Sequence, residues 1–328
     1  MDLIIKPTQR CNFKCDFCSS NKIDSSGNAT LPLESIFSLL ENNKIDTIIV
    51  NGGDPLMMPP KYYWDLIKYL DEHDMDTSIS FTSNLWDFYL QPEKWEKLFK
   101  HKRVGVATSF QYGNERKLAN GTIFNENLFR AVIEVFKERI GYVPMFIGVI
   151  TENNEDKVLD TVRLAKDLGT VCKLNPAVKS GRCKSSYPLW KAYQKYLEII
   201  EAGLAQYEYN ASILKDIING NHNTCPYNRN CWKSIRSISP NGLIHSCGCF
   251  NDDHIINTKL GDKTYCLSEY KDKDLLKDFK SLKEECFTCD LFLLCNSCFK
   301  QIHDIKQDHT EKDHCIHMKQ MEQKFKSL

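Results

Sequence analysis

Through the first half of the chain, short β-branched runs alternate with longer amphipathic stretches. Leu3–Lys6, Thr47–Asn51, Thr77–Thr82, Arg103–Phe110, Pro144–Thr151 and Val171–Leu174 read as strands. Between them, helical spacing follows Pro32, with Thr30 before it and Glu34 in the first turn, and resumes at Pro60. It returns over Pro92–Lys100, Glu126–Arg139 and Glu155–Leu168. Six strands with five intervening helical stretches predict an α/β fold, a partial (β/α)6 barrel of the TIM-like kind over residues 1–187. Residues 188–224 then turn helical and bridging. Trp190, Tyr193, Leu197 and Ile200 recur there at helical spacing, a stripe that predicts core packing. Further on, Ser234 to Cys247 reads as two short strands joined at Asn241-Gly242.

Composition narrows the class. A chain of 328 residues can bury one large core and support a smaller lobe. Its 43 basic and 43 acidic residues cancel, which gives no electrostatic case for nucleic acid or an anionic membrane as partner. No apolar run approaches the roughly 20 residues that span a bilayer. The start, Met1-Asp2-Leu3-Ile4-Ile5-Lys6, lacks the layout of a secretory signal. The 15 cysteines therefore point to metal ligands in a reducing cytoplasm and not to a disulfide framework.

Directly after the first predicted strand, Cys11, Cys15 and Cys18 form CxxxCxxC. Three thiols on one tight loop can grip a small inorganic centre and leave one coordination position open for a reactive ligand, whereas a closed zinc site takes four. A zinc knuckle completed by a distant cysteine is the plain alternative. The motif, with Phe17 before its last cysteine, resembles the radical SAM superfamily. The resemblance implies a 4Fe-4S cluster whose fourth iron binds S-adenosylmethionine (SAM), a reductive cleavage to a 5′-deoxyadenosyl radical, and hydrogen abstraction by that radical.

Parallel barrels gather function at the carboxyl ends of their strands. After the second predicted strand come Asn51-Gly52-Gly53-Asp54-Pro55, whose glycines permit close approach of backbone to a ligand. By resemblance, Gly52, Gly53, Asp54 and Pro55 match the superfamily's GGEP turn, which holds the SAM amino group, with Asp54 in place of glutamate. Asn84, Ser109 and Gln111 are further polar groups at strand ends, equally suited to turns. The resemblance implies Ser109 and Arg130 as contacts to the SAM ribose and carboxylate, and Leu174 and Asn175 as contacts to adenine. Arg130 also fits a solvated helix position.

From Cys225 onward lie 10 of the 15 cysteines. The lobe 225–328 has few long apolar runs, so metal would help to hold it together. Its spacing resembles the SPASM domain of peptide-modifying radical SAM enzymes, which binds two auxiliary clusters. The resemblance places Cys225, Cys231, Cys247 and Cys298 on one cluster and Cys286, Cys289, Cys295 and Cys315 on the other, for three 4Fe-4S clusters in the chain. Two residues, not the usual three, precede Cys298. Structural zinc on the CxxC pairs is the alternative reading. Cys172, Cys183, Cys249 and Cys266 are left as inert thiols, with hydrogen donation or cluster contact open to any of them. His303, His309, His314 and His317 read as solvated positions.

The resemblance implies an oxidoreductase that matures a ribosomally made precursor peptide, and the start from Lys6-Pro7-Thr8 through Cys11-Asn12-Phe13-Lys14-Cys15 most resembles maturases that form C–C crosslinks of the cyclophane type. A peptide epimerase, an anaerobic sulfatase-maturing enzyme that makes formylglycine, and a non-catalytic Fe–S or zinc protein are the competitors. Expected partners are the precursor peptide and an electron donor such as flavodoxin or ferredoxin. The chain starts at the first strand, so leader recognition is expected from the barrel, the C-terminal lobe or a separate protein.

Overall fold

The computed structural model describes residues 1–19, 29–218, 235–245, 255–259, 289–295, 304–306 and 308–328. The six foreseen strands are β1 (Asp2–Ile5), β2 (Thr47–Val50), β3 (Ser78–Thr82), β4 (Val104–Ser109), β5 (Phe146–Ile150) and β6 (Cys172–Pro176). Helices α1 (Leu33–Asn42), α2 (Pro60–Glu72), α3 (Trp86–Leu90), α4 (Pro92–Phe99), α5 (Glu126–Ile140) and α6 (Val158–Leu168) lie between them. Prolines open α2 and α4 at their first residue, where the missing N–H has no intrahelical partner to lose. Asn125 caps α5 by accepting from Leu128 N at 3.1 Å, and Gly141 ends it with φ 99°. Helix α3 is absent from the periodic pattern. It is entered through Leu85 at φ 57°, a left-handed residue held by Ser83 and Asn84.

Neighbouring strands β1 to β6 pair in parallel, which makes an open α/β half-barrel. The sheet also continues past β1. Strand β7 (Ile235–Ile238) pairs with β1 in parallel, so seven strands run the same way. Strand β8 (Leu243–His245) turns back on β7, and β9 (Ile255–Lys259) follows as the ninth strand. Gly242 at φ 78° makes the β7–β8 turn, as the Asn241-Gly242 pair foretold.

Between sheet and helices lies an aromatic core. Tyr63 meets Phe81 at 4.7 Å, Trp95 stacks on Phe99 at 6.1 Å, and Phe88 reaches Phe136 at 5.2 Å. Trp95 is fully buried and donates Nε1–H to Asp87 at 2.7 Å, so truncating it would cost roughly 3–5 kcal/mol.

The bridge is α7 (Leu189–Glu201), then α8 (Tyr209–Ser212) and α9 (Leu214–Ile218). Of the predicted stripe, Tyr193 and Leu197 are buried, whereas Trp190 and Ile200 lie at the core's edge. The C-terminal described elements are α10 (Phe292–Cys295), α11 (Glu311–Gln320) and α12 (Glu322–Lys326). Tyr193 reaches two of them, donating to Leu294 O at 3.2 Å and meeting Phe325 at 5.9 Å. Among the described residues no helix is long and apolar enough to cross a membrane.

Candidate active site at the carboxyl edge of the sheet

Strand β1 delivers the cysteine loop to the carboxyl edge, and neighbouring segments pin it there. Lys14 N donates to Lys117 O at 2.7 Å and Asp16 N to Glu115 O at 2.9 Å, while Arg182 N reaches Cys18 O at 2.9 Å. Cys15 is buried, and Cys11 and Cys18 are partly so. Cys11 Sγ accepts from Phe13 N at 3.3 Å, with Asn84 Nδ2 at 3.9 Å. Burial, and then the charge of Asp54, push the Cys11 thiol up. A metal taking this sulfur would have to displace its proton.

The turn after β2 packs on that loop. A Cβ at Gly53 would fall 2.1 Å from Arg10 O, and one at Gly52 would fall 2.5 Å from Thr8 O. The glycines therefore admit the cysteine loop's own backbone, with Gly53 N donating to Thr8 O and Asp54 N to Arg10 O. Asp54 is buried and spent on its own chain. Its oxygens accept from Leu56 N at 2.9 Å, Asn84 N at 2.8 Å and Ser83 Oγ at 3.0 and 3.1 Å. Burial pushes its carboxyl up to about 6 against the pull of these donors. Pro55 opens a short 3-10 turn, and its carbonyl accepts from Tyr63.

Arg116 is the residue that sequence reasoning passed over. It sits between β4 and α5 in a segment whose one inward signal is the pair Leu118 and Phe124, both buried. Its guanidinium donates to Ser109 Oγ at 2.8 Å and to Gln111 Oε1 at 2.6 and 3.2 Å, and lies 5.2 Å from the Phe17 ring centroid. Burial draws its pKa down, while Cys15, Cys11 and Cys18 draw it back up. All three cysteines thus lie within electrostatic reach of one buried cation. No carboxylate pairs with that cation among the described residues, so its guanidinium is suited to an anionic group such as an amino-acid carboxylate.

The other expected contacts divide. Ser109 sits beside Arg116. Arg130 lies on α5, 41% exposed, paired with Glu126 at 2.7 Å, and Glu126 also accepts from Tyr112. Leu174 is buried, its backbone tied to Glu208, Tyr196 and Asn210. The buried Asn175 Oδ1 has no partner among the described residues.

An open cavity of about 300 Å³ adjoins the cysteine loop. Asp16 and Phe17 line one side, Glu115 and Glu152 another, and Arg182 and Cys183 close it from the loop after β6. Gly181, at φ 62°, lets that loop in, since a Cβ there would meet Cys18 O at 2.6 Å.

Of the auxiliary-cluster cysteines, Cys225, Cys231, Cys247, Cys286 and Cys298 lie outside the described residues, as do Cys249, Cys266 and His303. Cys289 and Cys295 pack against the core, and Cys315 is exposed on α11. Cys172 is buried in β6 with its thiol on Tyr207 O. His309 is exposed as expected, but His317 stacks on Trp190 at 3.9 Å and His314 is buried. The solvated reading of His314 is corrected: α11 has so few apolar positions that its inward face, His314 and Met318, passes for surface.

The family model of the radical SAM superfamily matches residues 5–165, which therefore form a radical SAM domain. The GTP 3′,8-cyclase of Staphylococcus carnosus is 30% identical over 183 residues, 51% of this chain and 51% of the cyclase, so the chain spans about half of that relative. The cysteine-type anaerobic sulfatase-maturating enzyme of Clostridium perfringens is 23% identical over 94% of this chain and 91% of its own. In fold, the chain resembles anSMEcpe with bound AdoMet and Cp18Cys peptide, at TM-score 0.68 and 20% identity over 91% of this chain and 89% of that one. It also resembles Streptococcus suis SuiB bound to precursor peptide SuiA, at TM-score 0.62 and 17% identity over 90% and 70%.

Proposed function

We propose that the chain is a radical SAM peptide maturase that takes a hydrogen from a ribosomal precursor peptide and forms a C–C crosslink of the cyclophane type. The observation that carries this reading is the open polar cavity beside Cys11, Cys15 and Cys18, on the same edge as the buried cation Arg116. Bound at that edge, a 4Fe-4S cluster and SAM supply a 5′-deoxyadenosyl radical, the species that removes hydrogen. Arg116 and Ser109 hold the SAM carboxylate, and Arg130 joins them only if its pair with Glu126 opens. Leu174 and Asn175 flank adenine. Asp54 holds the Gly52-Gly53 turn against the cysteine loop, Phe17 shields the guanidinium of Arg116, and the cavity receives the peptide.

Crosslinking removes two hydrogens from the peptide. One goes to the adenosyl radical; the other leaves as a proton and an electron. Cys225, Cys231, Cys247 and Cys298 would hold one auxiliary cluster in the 225–328 lobe and Cys286, Cys289, Cys295 and Cys315 another, and such a cluster would supply an acceptor for that electron. Flavodoxin or ferredoxin supplies the reducing electron, and a separate protein can present the leader.

Two observations keep neighbouring chemistries in the test. The Clostridium perfringens relative matches along nearly the whole chain, and Cys183 places a thiol at the cavity wall. Anaerobic reconstitution with a candidate precursor, read by mass spectrometry and chiral hydrolysis, separates them. A peptide lighter by two hydrogens supports crosslinking, an unchanged mass with a D-residue means epimerisation, and a formylglycine aldehyde means sulfatase-type maturation. Zinc without iron and no 5′-deoxyadenosine would end the radical reading.

A further inference from the structure

A second cavity, of about 260 Å³, opens where the start of α7 faces α11. His314 enters it from α11, retaining 8% of its surface, and neither Nδ1 nor Nε2 has a hydrogen-bond partner among the described residues. Native folds seldom leave a buried ring with both nitrogens unmet, so an unmet one facing a cavity marks a place where a ligand completes the bonding.

The surrounding wall is rich in acceptors. Asp304, Asp308 and Asp313 line it, and no lysine or arginine does among the described residues. Asp308 pairs with Lys179 at 2.7 Å and Asp304 accepts from Ser186 at 2.7 Å, whereas Asp313 is exposed. Trp190, its ring stacked on His317, also lines the cavity. Three carboxylates beside an imidazole with unmet nitrogens suit a donor-rich organic cation.

Ser186 and Tyr187 line this cavity and also the one beside the cysteine loop. The two cavities are therefore consecutive along one wall, and a ligand filling both must be extended. We infer that His314, Asp313 and Trp190 form a subsite for an arginine or lysine side chain of the peptide substrate, anchoring it while another residue is presented at the cysteine loop. That the ligand is a substrate peptide rests on the maturase reading; the preference for a cation does not.

The test uses the full chain, reconstituted without oxygen, and three probes: acetyl-Gly-Arg-Gly-amide, its lysine analogue and its glutamine analogue. Calorimetry at low salt measures affinity, and imidazole-labelled histidine reports contact with His314 by NMR. The expected result is at least tenfold tighter binding of the arginine or lysine probe than of the glutamine probe, with the His314 signal shifting. Asp313→Asn and His314→Phe should each weaken it about tenfold, and added salt should weaken it in the unaltered chain. If His314→Phe does not fold, the exposed Asp313→Asn carries the comparison.

Equal affinity for the three probes, or unchanged binding in the variants, overturns the subsite. So does one tightly held zinc lost with His314→Phe, which would make the histidine a metal ligand, or the loss of a cluster's iron from that variant. Formation of 5′-deoxyadenosine by the unaltered chain is measured separately. Its absence would sink the maturase reading while leaving the cation result standing.

Discussion

Two buried charges occupy the carboxyl edge of the sheet, and the fold treats them in opposite ways. Around the Gly52–Pro55 turn, Asp54 is answered wholly from within, by Leu56 N, Asn84 N and the Ser83 hydroxyl. Across the cysteine loop, in the segment after β4, Arg116 donates to the neutral oxygens of Ser109 and Gln111 and, among the described residues, pairs with no carboxylate. A charge satisfied by its own backbone holds architecture, whereas a charge held by neutral partners keeps its capacity for an outside ion. On this contrast we propose Asp54 for the scaffold and Arg116, which the sequence reading passed over, for the ligand.

The largest test removes the cysteines themselves. Replacing Cys11, Cys15 or Cys18 with alanine should abolish 5′-deoxyadenosine formation and lower the iron count by about four per chain. Retention of that iron in all three variants would break the assignment. Next comes the cation. Arg116→Gln should weaken SAM binding by roughly tenfold to a hundredfold, the worth of about 1.5–3 kcal/mol for a charge-assisted hydrogen bond, with iron content maintained. Arg130→Gln, at a surface ion pair, should change the affinity far less. Calorimetry without oxygen reads both, and equal losses would erase the contrast between them.

Asp54→Asn should act differently again. The amide turns an N–H₂ toward donors that now have a carboxylate, so the cost falls on folding, at about 1–3 kcal/mol. Denaturant midpoints should drop and SAM affinity per folded molecule should hold. A selective loss of SAM affinity at full stability would make Asp54 a ligand after all.

Much of this site was legible because its elements are repetitive or locally marked. Thr47–Val50 and its like are β-branched, Pro60 and Pro92 announce helix starts, and CxxxCxxC is dense enough to read unaided. Arg116 escaped because nothing periodic surrounds it: residues 111–125 form a loop, and a lone arginine in a polar loop looks solvated. Arg130 attracted attention through the family resemblance, yet its helix pairs it with Glu126 four residues back. Helix α3 and the burial of His314 stayed hidden for a shared reason. Each is set by tertiary contacts, Leu85 by the Asp54 network and α11 by packing on α7, and neither leaves a local pattern.

A third buried charge sharpens the comparison from the scaffold side. Glu208 lies under β6, with Oε1 accepting from Leu174 N at 2.7 Å and Oε2 from Ala211 N at 2.6 Å, so it is answered internally as Asp54 is. Burial still dominates and pushes its carboxyl from 4.5 up to about 7. The folded state then keeps this proton over a range where the unfolded chain has released it. Because the native state binds more protons there, this group's contribution to stability is full below about 4.5 and declines as pH rises through about 7. Glu208→Gln removes that dependence and loses an acceptor at one of two backbone N–H groups, at about 1 kcal/mol. The expected outcome is a variant less stable in mild acid whose deficit shrinks toward neutral and alkaline pH, read as the difference in denaturant midpoints between the two proteins. A deficit that stays constant with pH would mean that Glu208 is ionised throughout, its backbone donors outweighing its burial.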